Sequence, residues 1–292
     1  HALLERDPDN PDWILELSYS HNNLAAIHLD SGRGVDKQTL SNVSEALRLM
    51  EIVVAMKPDD RAIAMNYATT LAWAADAQLQ ACNLEQAVSF RHRVLELSEF
   101  STNADPGNNE FRKQYAYALT GMARMQNLTG DLASAVENLE LAVSILQSLY
   151  AADPSNLHYR DEALYRQVML ARLVAESGQH HKALAMLQEI EAGFAVMDGL
   201  EETGSVPQTE YIEFLLTYTE AELGRGRNEQ AKSHLQRVVD LPSGIPEAKG
   251  LDIFGLTVEQ SLLLDPLRGQ AEFEDWQRRH IEQRKAVLQQ MR

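Results

Sequence analysis

The sequence predicts an all-α fold, a solenoid of antiparallel helix pairs with capping helices at its C-terminal end. Three observations predict it. Ala87, Ala135, Ala183 and Ala231 stand 48 positions apart. Gly130, Gly178 and Gly226 keep the same interval, with Cys82 in the slot before them. Helix-breaking Asp-Pro pairs at Asp7-Pro8, Asp105-Pro106 and Asp153-Pro154 separate the segments. A spacing held through three steps marks like units stacked on one another.

The unit from Asp105 to Ala152 shows how each pair is made. Pro106 cannot continue the preceding helix, and Asn108 can accept an orphan N–H of the next. Phe111, Tyr115, Ala118, Met122 and Met125 then recur at helical spacing as far as Leu128. Thr129-Gly130-Asp131 breaks that helix, with Gly130 suited to a left-handed cap. Leu132, Ala135, Leu139, Ala142, Leu146 and Leu149 stripe the second helix, and Asp153-Pro154 closes the unit. Ala123 and Ala135 flank the turn, where two bulky side chains would force the backbones apart. Ala171 with Ala183 and Ala75 with Ala87 repeat the arrangement, and Thr219 with Ala231 is a looser version. Trp13, Ile63, Phe111 and Tyr159 each lie five residues beyond a turn proline and are expected in inter-repeat packing.

The ends of the array are less regular. In the first unit Ala25 and Ala46 match, with nine extra residues around 33–41. Residues 1–11 read as the end of a truncated upstream helix and a turn. Residues 12–241 read as five helix pairs, and 242–292 as a loop followed by C-terminal capping helices. The last helix carries Arg278, Arg279, Arg284 and Lys285, the only locally basic stretch.

The formal charge of −17 repels phosphate backbones and anionic lipid. No nucleic acid and no direct membrane contact are therefore expected among the partners. Cys82 is the sole cysteine, so no disulfide forms within the chain, and the compartment stays open between cytoplasm and periplasm.

The order apolar, small, Gly, Ala, apolar, apolar carries a family resemblance. It stands as Met122-Ala123, Gly130, Ala135, Leu139, Ala142, and again as Leu170-Ala171, Gly178, Ala183, Leu187, Ile190. This resembles the tetratricopeptide repeat (TPR), lengthened from about 34 residues. The resemblance implies a right-handed superhelix whose concave groove is lined by the first helix of each pair. Repeats of this long type are similar to those that follow the kinase or winged-helix module of multidomain bacterial regulators. A fused kinase or DNA-binding domain upstream is what that likeness implies.

Chemistry is not legible in the motifs. Nine histidines make no ligand spacing, no His-Glu-x-x-His is present, and no metal is expected. Gly32-Arg33-Gly34 and Gly224-Arg225-Gly226 read as helix caps, and His180-His181 as a solvated turn. No catalytic residue and no cofactor are expected.

The groove implied by the resemblance supplies the candidate partner-binding residues. By the 48-residue step Tyr117 matches Tyr165 and Arg124 matches Arg172, and Tyr19 holds the same place counted from Ala25. Two turns separate Tyr117 from Arg124, so both share a helix face. Arginine can grip a carboxylate in bidentate fashion, and tyrosine offers a flat apolar face with a polar tip. Asn22, Asn23, Asn66 and Asn127 complete the set as holders of peptide backbone. Two readings stay open for the arginines: contact with an acidic peptide or C-terminus, or a structural ladder pairing them with Asp76 and Glu220.

The expected function is a non-catalytic scaffold that binds protein or peptide in the groove, as the interaction or sensory arm of a larger bacterial regulator. The alternatives are a small-molecule-sensing repeat domain controlling a fused output domain, and a structural module that forms homo-oligomers.

Overall fold

The computed structural model describes residues 7–30, 35–198 and 208–240. Every regular element among them is a helix: α1 Pro11–Asp30, α2 Lys37–Met56, α3 Arg61–Gln80, α4 Leu84–Ala104, α5 Asn109–Thr129, α6 Leu132–Ala152, α7 Leu157–Glu176, α8 His180–Asp198, α9 Gln208–Gly224 and α10 Asn228–Asp240. The chain divides into two compact units, His1–Tyr159 and Arg160–Arg292.

In the first unit α1 packs on α2, α3 on α4 and α5 on α6, and each pair adjoins the next. The first helices also meet directly, α1 with α3 and α3 with α5. In the second unit α9 packs on both α8 and α10. Leu164 of α7 lies against Gly193 of α8, where a Cβ would stand 2.9 Å from its Cδ2.

The periodic residues occupy equivalent corners. Cys82, Gly130, Gly178 and Gly226 all have positive φ, between 60° and 85°. The residue after each donates its N–H five positions back: Asn83 to Gln78, Asp131 to Gln126, Gln179 to Val174 and Arg227 to Glu222. This is the bond that closes a helix through a left-handed residue. Beyond the turn Ala87, Ala135, Ala183 and Ala231 are each 0% exposed. Ala75, Ala123, Ala171 and Thr219 on the other side are buried as well. Small side chains therefore sit where two helices converge on a turn of two or three residues.

Side-chain caps start the helices. Asn10, Asp60 and Asn108 each accept two backbone N–H groups of α1, α3 and α5 through one oxygen. Each such cap contributes about 1 kcal/mol. The insertion in the first pair is largely helical, because α2 begins nine residues before Ala46 whereas α4 begins three before Ala87. Ile63 and Tyr159 are buried as expected, while Trp13 and Phe111 are half-buried. The upstream helix end at 1–6, the Gly32-Arg33-Gly34 cap and the capping helices of 242–292 lie outside the described residues.

Candidate functional site

Helix α4 departs from the repeat at two core positions. By the 48-residue step Arg91 and Ser98 hold the places of Leu139 and Leu146 in α6, and of Leu187 and Phe194 in α8. Those four apolar side chains are buried. Arg91 and Ser98 are buried too, at 8% and 1% exposure. Two turns separate them, so they share one face, with Val94 between. A serine in the place of leucine or phenylalanine leaves volume unfilled. The result is a cleft of about 220 Å³ between α3, α4 and α5. Ala68, Ala72, Trp73, Val94 and Ala118 wall it, and Asp76, Arg91 and Ser98 give it a polar floor. Thr69 of α3 and Gln114 and Tyr117 of α5 complete the lining.

The charges at the floor are fixed against each other. Arg91 Nη2 donates to Asp76 Oδ1 at 2.6 Å. Arg124 Nη1 stands 4.0 Å from the same oxygen. Arg91 Nε is buried and reaches no acceptor. Two guanidinium groups thus share one carboxylate, and Arg91 keeps donors in hand. Gly121 of α5 makes room for Arg91: a Cβ there would stand 2.7 Å from its Nη1 and 3.0 Å from its Cζ.

The candidate residues read from the sequence fall in both units, Tyr165 and Arg172 in the second and the others in the first. Tyr117 lines the cleft, and its hydroxyl lies 3.1 Å from His158 Nε2. Arg124 is 57% exposed near Asp76. Arg172, in the second unit, is bound to Glu176 at 3.1 Å. Burial pulls the Arg172 pKa down, but the fields of Glu220, Glu176 and Glu213 outweigh it and hold the group above its ordinary value. Tyr165 lies under Arg166, 5.2 Å from its Cζ. Asn22 requires a correction. It is buried, and its Nδ2 donates to Thr70 Oγ1 at 2.8 Å, tying α1 to α3 rather than facing a partner. Thr70 in turn donates to the Asn66 carbonyl, which brings Asn22 and Asn66 together through one hydroxyl. Asn23 is exposed on α1. Tyr19 is half-buried there, its pKa raised by burial and by Glu16. The Asn127 carbonyl accepts the Gly130 N–H at the end of α5.

The second unit holds two features the motifs did not show. Phe194 stacks on Phe214 at 4.6 Å, Tyr218 meets Phe214 edge-on at 5.2 Å, and His234 stacks on Tyr218 at 4.4 Å. Burial raises the Tyr218 pKa, with Glu191 adding to it. Burial lowers the His234 pKa, Arg237 lowers it further, and Glu191 opposes both. A depression of about 590 Å³ is lined by His180, His181, Lys182 and Arg225 with Gly178 and Gly224. His180 is not a solvated turn residue: its ring packs against Gly224, at whose place a Cβ would clash with it.

Arg91, Ser98 and Gly121 were missed because they belong to no motif. The signal that finds them is departure from the period: a charge and a hydroxyl where the neighbouring units place large apolar side chains.

No family model matches the chain, and no curated protein matches it. Solved structures do. A Podosopora anserina protein of nearly identical TPR-like repeats, described as a kinesin light chain, aligns over 78% of this chain and 94% of its own at 21% identity and a TM-score of 0.50. The fold is TPR-like. That likeness concerns the fold alone. MamA aligns over 78% of this chain and 92% of its own at 18% identity, with a TM-score of 0.39. Among the described residues no group of His, Cys, Asp and Glu could hold a metal ion, and no helix is long and apolar enough to cross a membrane.

Proposed function

We propose that this chain is a non-catalytic scaffold that binds a segment of a protein partner. The cleft at Arg91 and Ser98 carries the reading. It is built by placing a charge and a hydroxyl where the other pairs carry large apolar core residues, a change that costs packing energy. Its volume of about 220 Å³ falls below the roughly 300–1,000 Å³ of drug-sized ligand sites and suits one side chain. Tyr117 and Arg124 stand beside it on α5, and Arg124 retains unspent donors for an acidic partner group. Arg172 is better read as structural, since glutamates surround it.

Selection of random peptides against the full chain tests the reading. Enriched peptides are expected to bind the parent and to lose about ten- to hundredfold affinity with Arg124→Ala, the worth of one charge-assisted hydrogen bond. Failure to enrich any sequence over an unrelated acidic protein counts against the scaffold. Equal affinity for the variant removes Arg124.

A small-molecule reading draws on the depression around His180 and Arg225, whose 590 Å³ lies within the range of ligand sites. Its lining is basic and suits an anion. The place of the chain as the arm of a larger bacterial regulator rests on the repeat type alone. A reading frame joining a kinase or winged-helix module to it supports that context, and a frame without an output domain removes it.

A further inference from the structure

We propose that the cleft between α3, α4 and α5 receives a tyrosine side chain of the bound segment, an inference that rests on the peptide-binding reading. Three observations select the occupant. Ala68, Ala72, Val94, Ala118 and the indole of Trp73 give the lining its apolar surface, beside Thr69, Gln114 and Tyr117, and a flat, mostly apolar shaft suits it. The floor holds opposite charges 2.6 Å apart. An entering carboxylate meets Asp76, and an entering ammonium meets Arg91, each at close range. A neutral group that both donates and accepts meets neither penalty. It donates to the Asp76 carboxylate, whose Oδ1 alone is engaged by Arg91 and Arg124, and accepts from the Arg91 guanidinium, which among the described residues donates to no acceptor but Asp76. A phenol does both from one oxygen at the tip of a flat apolar ring. Ser98, also at the floor, stands where a leucine or phenylalanine would fill the space that the ring needs.

Three soluble probes test the chemistry on the full chain: 4-methylphenol, toluene and 4-methylbenzoate, followed through the indole N–H resonance of Trp73, assigned with Trp73→Phe. The phenol is expected to shift that resonance at concentrations at least tenfold below the other two. Ser98→Leu, which restores the residue found at Leu146, is expected to fold and to abolish the response. Equal response to toluene overturns the polar floor as the reader. Tighter binding of the benzoate overturns the neutral occupant. A response that survives Ser98→Leu, or no response to any probe, overturns the site.

A second arm separates this inference from the scaffold reading. In selected peptides a Tyr→Phe change is expected to weaken binding at least tenfold to the parent and not at all to Ser98→Leu. Peptides that bind tightly without a tyrosine, indifferent to Ser98→Leu, overturn the occupant and leave the scaffold standing. A phenol response with no selectable peptide does the reverse.

Discussion

Arg91 and Gly121 fit each other across two helix pairs: the guanidinium on α4 fills the space in which a Cβ on α5 would lie, 2.7 Å from Nη1. The places that correspond to them one period later are Leu139 and Met169. A buried charge and a helix-interior glycine both cost stability, and here they occur together because each makes room for, or needs, the other.

This coupling is measurable by urea unfolding. Asp76→Ala is expected to cost about 2–3 kcal/mol, because Arg91 then keeps a buried charge without its partner. Adding Arg91→Leu is expected to recover most of that loss, since an apolar residue in place of a buried ion pair is often neutral or better. Gly121→Ala should add about 1 kcal/mol of helix stability in the Arg91→Leu/Asp76→Ala background and nothing, or a loss, in the parent. The same gain in both backgrounds would show that the two residues are independent.

Cys82 is the one described non-glycine residue with positive φ, at 60°, in the slot that Gly130, Gly178 and Gly226 fill in the other turns. An L side chain in that region costs about 1–2 kcal/mol. Cys82→Gly is expected to raise stability by about 0.5–1 kcal/mol after the added freedom of the unfolded chain is subtracted. Gly130→Ala should lower it by a similar amount. A destabilised Cys82→Gly in chemical denaturation would contradict the strain.

The two arginines of the sequence-derived ladder are expected to separate in a thermal scan. Arg124→Ala changes an exposed side chain and should move stability by less than about 0.5 kcal/mol. Arg172→Ala takes away the positive charge facing the buried Glu220 and should cost about 1–3 kcal/mol. If both variants melt with the parent, Arg172 is not structural.

His234 makes the pair of α9 and α10 sensitive to acid. Its pKa is lowered in the folded chain by burial and by Arg237, against the pull of Glu191. The unfolded chain therefore binds a proton more readily than the fold does. The contribution is complete above the ordinary histidine range near pH 6.5 and declines as the pH falls through that range. The melting midpoint should drop between pH 7.5 and pH 5.5, and His234→Phe, which keeps the stack on Tyr218, should reduce the drop. An unchanged pH profile in the variant would remove His234 as its source.

The fold was legible because repetition multiplies a weak signal. No single alanine identifies a helix pair, but Ala87, Ala135, Ala183 and Ala231 cannot recur every 48 residues unless each sits at the same corner, and each does. The candidate site was less legible for the same reason. Searching for residues that recur led to Tyr117 with Tyr165 and Arg124 with Arg172, whereas the cleft is made by residues that fail to recur. Asn22 illustrates a second limit. Its amide suits backbone recognition equally well whether it faces solvent or Thr70, and only the packing of α1 on α3 decides. The aromatic stack of Phe194, Phe214 and Tyr218 was hidden because its members come from three different repeat slots.

Asp76 and Arg91 belong to one helix pair, while Tyr117, Gly121 and Arg124 belong to the next. The cleft therefore exists only where those two modules are neighbours in that order. Copying either module elsewhere along a longer array would transmit its shape without its recognition property. An engineer grafting this site onto another helical array would have to transplant both modules as one block, junction included.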